Sequence, residues 1–220
     1  MKKYVFTGET IKFGSITLRR IRAVKEFEFI KAGAVGGWIE SERNLSHDGN
    51  AWVSGNARVN GNARVEENAR VIGNALVGGN ALVNGNSRVG GNAWVSGNAW
   101  VSGKVMVNGN AQVEGNARVG GNALVKGNAL VDENARVNGN ALVEGNALVK
   151  GNALVNENAR VNGNALVKGN ALVSGNALVN GNAWVDGNAK IFSTNHILII
   201  GPVGSRNDFT TFYMDKDNEI

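Results

Sequence analysis

One period constrains what this chain can fold into. From Val53 to Val185 a valine recurs every six residues and Ile191 extends the series, which makes 24 consecutive hexads without a slip of register. Two positions before each of these stands Ala in 22 of 24 units, Ser87 and Val105 being the exceptions. Asn precedes that slot in all but Lys104, and Gly precedes the Asn except at Glu67, Glu133 and Glu157. The unit is Gly-Asn-Ala-x-Val-x. Its order of small, variable, aliphatic and variable residues has the period of two of a strand, so Ala and Val share one side and the variable residues the other. A helix is disfavoured, because a spacing of 3.6 would scatter a six-residue repeat around its axis and each interior Gly would cost about 1 kcal/mol. Gly and Asn accept positive φ most cheaply, so every Gly-Asn pair marks a corner.

A hairpin meander would alternate the chemistry of odd and even units, and here every unit is alike. The economical solution is a coil that turns the same way at each corner, three units to an 18-residue coil, with coils stacked as parallel strands. The 24 units then make eight coils, a triangular prism roughly 38 Å tall at about 4.8 Å per coil. Val and Ala fill its interior, and Asn side chains stacked at the corners are placed to hydrogen-bond along the axis. The expected fold is all-β, a single-stranded parallel β-helix at residues 49–192, between an N-terminal cap with a degenerate first coil at 1–48 and a C-terminal cap or tail at 193–220. Residues 2–30 alternate like strands, with a turn at Thr7–Thr10 and a second strand at Ile16–Ala23. A solenoid's first coil exposes its apolar interior and its unpaired edges, so it needs a plug; Phe27, Phe29, Ile30 and Trp38 are the candidates. Asn44 and Leu45 fall in the Asn and Ala slots of the degenerate coil. Ile197, Ile199 and Pro202 break the register, and the acidic stretch Asp208–Glu219 closes the stack or frays.

The aliphatic-x-x-x-small-x order, as in Val71-Ile72-Gly73-Asn74-Ala75-Leu76, resembles the hexapeptide repeat of left-handed parallel β-helices. The handedness is what that resemblance implies. Nearly the whole chain is similar to a group of bacterial and phage proteins, through Tyr4–Glu9, Leu18–Ala23, Gly36–Glu40, Asn44–His47, the hexad array and His196–Arg206. Members of that group continue past the segment resembling Asp208–Phe212 into a small α/β tail, so the resemblance implies a truncated or regularised chain. Hexapeptide proteins also include acyltransferases and zinc carbonic anhydrases. The former use a histidine base beside a cleft between subunits and the latter three histidines at a subunit boundary, whereas this array has no histidine between residues 48 and 195.

Composition excludes more. Among 220 residues there are 31 Gly but one Pro, which excludes collagen. No Cys and two His leave no thiolate site, no cysteine nucleophile and no three-histidine metal site within one chain. The expectation is therefore no catalytic residue, no metal and no cofactor. The longest aliphatic run, Ile197–Ile200, is far below the roughly 20 residues of a membrane helix, and no apolar segment follows Met1-Lys2-Lys3. A soluble, cytoplasmic chain is expected, without a membrane partner. No phosphate-binding glycine motif opens a helix. The net charge of +5 is spread without a polybasic tail, and a nucleic-acid partner is not expected.

The outward slot before each Val holds ten Leu, four Trp, seven Arg and single Met, Gln and Lys residues. Counting modulo 18, one face carries Leu76, Trp94, Leu130, Leu148, Leu166 and Trp184, six of its eight variable residues. A flat apolar stripe of this kind suits an isologous pair. The functional expectation is a non-enzymatic structural or interaction protein, a rigid scaffold forming a homodimer by lateral packing of that face. The alternative is a hexapeptide-type acyltransferase or its relic. Glu67, Glu133 and Glu157 are expected to be solvated corner variants, and the unit at Lys104 and Val105 departs from the rest.

Overall fold

The computed structural model describes residues 2–203 and 208–213. Its only helical segments among these are two 3-10 turns, at Glu42–Asn44 and Thr194–His196. Twenty-four two-residue strands run from β4 (Trp52–Val53) to β27 (Lys190–Ile191), one per hexad. Each of β4 to β24 pairs in parallel with the strand three units on, so that Val77 faces Val95 and Val95 faces Val113. The result is three parallel sheets around a parallel β-solenoid of about nine turns.

The inward slots form one column of buried Val and Ala. Ser87, an exception in the Ala slot, is buried too, and its hydroxyl donates to the Asn84 carbonyl at 2.7 Å. At each corner the glycine is left-handed, as at Gly73 (φ 72°). Stacked asparagines run in register along the three corners. From Asn56 to Asn182 and from Asn62 to Asn188, each amide donates to the oxygen of the asparagine one coil on. The third ladder runs Asn50–Asn86 and resumes at Asn122–Asn176. It is broken by Lys104, whose ammonium has no acceptor oxygen to offer Asn86.

The ends bear on the expectation in four places. First, β1 spans Tyr4–Phe13 and reverses at Gly14–Ser15 into β2 (Ile16–Ala23); the turn expected at Thr7–Thr10 is a register shift within β1. Second, β3 (Val35–Ile39) joins β5 (Arg58–Val59) in parallel and adds a ninth rung to the first sheet, beyond the eight regular coils. Third, Leu45 lies opposite Val65, twenty positions on, where regular partners are eighteen apart. It therefore occupies a valine slot, not the alanine slot, because the corner at 46–49 is two residues longer. Fourth, Phe29 is 79% exposed, beside the Arg70 guanidinium. Phe27 and Ile30 pack against the core and Trp38 is buried under Arg20.

The plug itself is built largely from Lys3, Tyr4, Leu18 and Ile21, all buried. Trp52, in an outward slot, is buried beneath Tyr4 and Phe27, ring centroids 6.5 and 5.5 Å away. Tyr4 Oη donates to the Leu45 carbonyl at 2.9 Å, and burial pushes its pKa up. At the other end β28 (Ile197–Val203) and β29 (Asp208–Tyr213) form an antiparallel hairpin that lays Ile197, Ile199 and Tyr213 against the core. Residues 214–219 of the segment expected to close the stack lie outside the described residues.

Candidate functional site

The first sheet sets the apolar column expected from the repeat in register. Leu76 faces Trp94, Leu130 faces Leu148, Leu148 faces Leu166 and Leu166 faces Trp184 on adjacent rungs, with Gln112 between Trp94 and Leu130. Strand alternation brings the residue two positions on to the same side, so Leu130 is flanked by Asp132, Leu148 by Lys150 and Leu166 by Lys168. The leucines are half-buried, while Trp94 and Trp184 are 43% and 55% exposed. Part of the polar rim is already engaged: Lys168 lies 3.1 Å from Asp186 and over the Trp184 ring. The Gly187 N–H, then Lys168, hold the Asp186 carboxyl below the usual range. Burial, then the neighbouring Asp132, push Glu114 on the same rim up.

The third sheet carries a different feature, a groove of about 440 Å³ over Trp100, Arg118 and Arg136, on successive rungs, bounded by Leu154. The residues two positions on are Ser102, Gly120, Asn138 and Asn156, which also line it. Where Arg64 occupies the same sheet the corresponding slot holds Glu66, and the two are ion-paired. Neither Arg118 nor Arg136 has a carboxylate within ion-pair distance among the described residues. Trp100 is held by its indole N–H, which donates to Asn84 Oδ1 at 3.2 Å, and it faces the Arg118 guanidinium at 5.7 Å.

A family model described as the YdcK beta solenoid repeat matches residues 51–67 and 171–187. The chain is a hexapeptide-repeat β-solenoid protein. A curated Escherichia coli (strain K12) protein named "Uncharacterized acetyltransferase YdcK" is 34% identical over 61 residues, 24% of this chain and 19% of that protein. The matched part is thus under a fifth of that relative's length. Among solved structures, the Francisella novicida UDP-N-acetylglucosamine acyltransferase aligns over 64% of this chain and 62% of its own at 12% identity, with a TM-score of 0.43.

The expectation that this hexapeptide-repeat protein is not an enzyme is overturned by the relative's name. The repeat is shared with a protein called an acetyltransferase, so the lack of histidine between residues 48 and 195 does not exclude catalysis. The two histidines sit at opposite ends of the stack. His47 stacks on Tyr4 at 4.3 Å, and its Nδ1 accepts the Lys3 N–H at 3.1 Å; burial, against the opposing pull of Glu42, lowers its pKa. His196 Nδ1 faces the Phe192 N–H at 3.4 Å.

Sequence reasoning missed what two of the corner glutamates do. Glu67, Glu133 and Glu157 have φ of 56°, 59° and 57°, and so take the left-handed glycine conformation. The Glu67 and Glu157 carboxylates accept the N–H of Gly85 and Gly175 one coil on, at 2.9 and 2.8 Å. Glu133 also stands eighteen positions before a corner glycine, Gly151, without that contact, so spacing alone does not find it. The groove had a signal, in the contrast between Glu66 beside Arg64 and Gly120 beside Arg118.

Proposed function

We propose that this chain is the rigid β-solenoid module of an acetyltransferase-like protein and that it assembles by lateral packing of its first face. The observation that carries the assembly is the in-register column of Leu76, Trp94, Leu130, Leu148, Leu166 and Trp184 on one flat sheet. The acetyltransferase character rests on the named relative. A column roughly 38 Å long and about 10 Å wide offers on the order of 400 Å² of surface, the size at which a monomer's largest apolar patch is often functional. A two-fold axis near its middle brings Leu130 and Leu148 against their copies, and the exposed indoles of Trp94 and Trp184 serve as anchors.

Light scattering coupled to size exclusion tests it on Leu130→Lys/Leu148→Lys. The native chain is expected to run as a dimer and the variant as a folded monomer. A native chain that is monomeric at high micromolar concentration overturns the proposal.

A further inference from the structure

The groove on the third face is a second site. Arg118 and Arg136 are direct partners on adjacent strands, so two guanidiniums sit about one rung, roughly 4.8 Å, apart at their backbones. Like charges so placed repel, and the other cross-strand arginine pair of the array is relieved by a carboxylate from the cap. Arg70 and Arg88 are also cross-strand partners, but Arg70 is paired with Glu28 at 2.7 Å. On the third face itself Arg64 is paired with Glu66. At Arg118 and Arg136 the slot that would hold the relieving carboxylate holds Gly120 and Asn138 instead. Two consequences follow from this one substitution pattern. The positive charge is left uncompensated, and the missing side chain at Gly120 opens the concavity beside it. The acids nearest in sequence are Glu114 before the corner that leads to Arg118, and Asp132 and Glu133 before and in the corner that leads to Arg136, and among the described residues none is ion-paired to either arginine.

We propose that this groove binds a phosphate monoester carrying a flat ring, of the nucleoside monophosphate type. A monoester dianion matches two arginine forks, which bind phosphate with paired, charge-assisted hydrogen bonds. Midway between the two guanidiniums lies one and a half rungs, about 7 Å, from the rung of Trp100. That span separates phosphate and ring in a nucleotide, and the indole is already fixed by Asn84 with 41% of its surface exposed. The site lies on the third sheet, away from the column at which copies pair, so the two proposals fail separately.

Calorimetric titration of the full chain at low salt with 5′-AMP, adenosine and inorganic phosphate tests the proposal. AMP is expected to bind at least tenfold more tightly than phosphate, and adenosine not measurably. Gly120→Glu supplies the carboxylate seen beside Arg64; the nearest atoms to its added Cβ belong to side chains, Asn138 Oδ1 at 3.2 Å and Ser102 Oγ at 4.0 Å. AMP affinity is expected to fall at least tenfold in this variant, as in Arg118→Gln/Arg136→Gln, while the melting temperature holds. Trp100→Leu is expected to bring AMP down to the level of phosphate. Absence of AMP binding at millimolar concentration, or AMP affinity unmoved by Gly120→Glu and by the arginine pair, overturns the proposal. So does an oligonucleotide that binds more tightly than AMP through the same arginines, which would assign the groove to a diester backbone.

Discussion

The regular array and the N-terminal end use the same strand pairing but hold themselves together differently. In the array most contacts copy the one eighteen residues earlier: valine on valine, asparagine on asparagine, glycine corner on glycine corner. At the N-terminal end the decisive contacts are single and span about forty residues. They include Tyr4 to Leu45, Lys3 to the Asp48 and Gly49 carbonyls, and His47 to the Lys3 backbone. The difference teaches that a repeat makes stability divisible among neighbouring coils, whereas a plug concentrates it in a few buried groups without a second copy.

The sharpest contrast lies within one unit of the array. Val137→Asp puts an unpaired carboxylate in the core column and is expected to destabilise by more than about 4 kcal/mol. Asn138→Asp, its outward neighbour, keeps an acceptor for the Gly139 N–H, as Asp186 does for Gly187, and is expected to shift stability by no more than about 0.5 kcal/mol. Equal effects in chemical denaturation would mean that the faces are inverted.

Corner glycines separate the middle of the array from its end. Gly97 and Gly187 share a left-handed φ of 68° and 63°, but a Cβ on Gly97 would meet the Gly115 carbonyl at 2.7 Å while one on Gly187 meets nothing within 4 Å. Gly97→Ala is expected to cost about 3 kcal/mol, strain and crowding together, and Gly187→Ala only about 1 kcal/mol of strain. Matching melting temperatures would remove stacking contact as the reason for glycine at these corners.

At the plug, Tyr4→Phe leaves the Leu45 carbonyl without its hydroxyl donor and is expected to cost about 1–2 kcal/mol. Hydrogen exchange should show the loss confined to residues near the first coil; a loss spread evenly along the array would contradict the distinction between the two regions. A further effect at the plug is one of pH. Burial lowers the Lys3 pKa from 10.5 to about 8. Between those values the unfolded chain holds a proton that the folded chain has released, so stability rises with pH across that window and is flat below it. Lys3→Met should abolish the rise, and a slope that survives the substitution assigns it elsewhere.

Most of the fold was legible because the inward environment repeats, so one rule, a small residue and then a valine, serves every coil. Asn86 and Asn122 show the same logic at the corners, where a single lysine between them interrupts a ladder that spacing alone laid out. The long corner at 46–49 was hidden because His47 and Asp48 still count out as a hexad. Phe29 was misplaced because hydrophobicity alone does not say which side of an irregular segment faces the core; in the structure it lies against Arg70 instead. Lys3 was missed for the opposite reason, since a lysine enters a core only where carbonyls and a ring, here Asp48, Gly49 and Phe27, converge on its ammonium. Of the candidate surfaces, the first-face column followed from counting modulo 18. The groove needed the side chain that is absent at Gly120.

The most direct test of the account is a pair of deletions compared by light scattering. Removing residues 121–138 takes out one whole coil and leaves every remaining residue on its own face. Removing residues 121–126 takes out one third of a coil and rotates all that follows onto the next face, parting Leu76 and Trp94 from Leu130, Leu148, Leu166 and Trp184. The eighteen-residue deletion is expected to remain a folded dimer and the six-residue deletion to be a folded monomer. A dimer in both, or a monomer from the eighteen-residue deletion alone, would contradict assembly through a column that the repeat aligns.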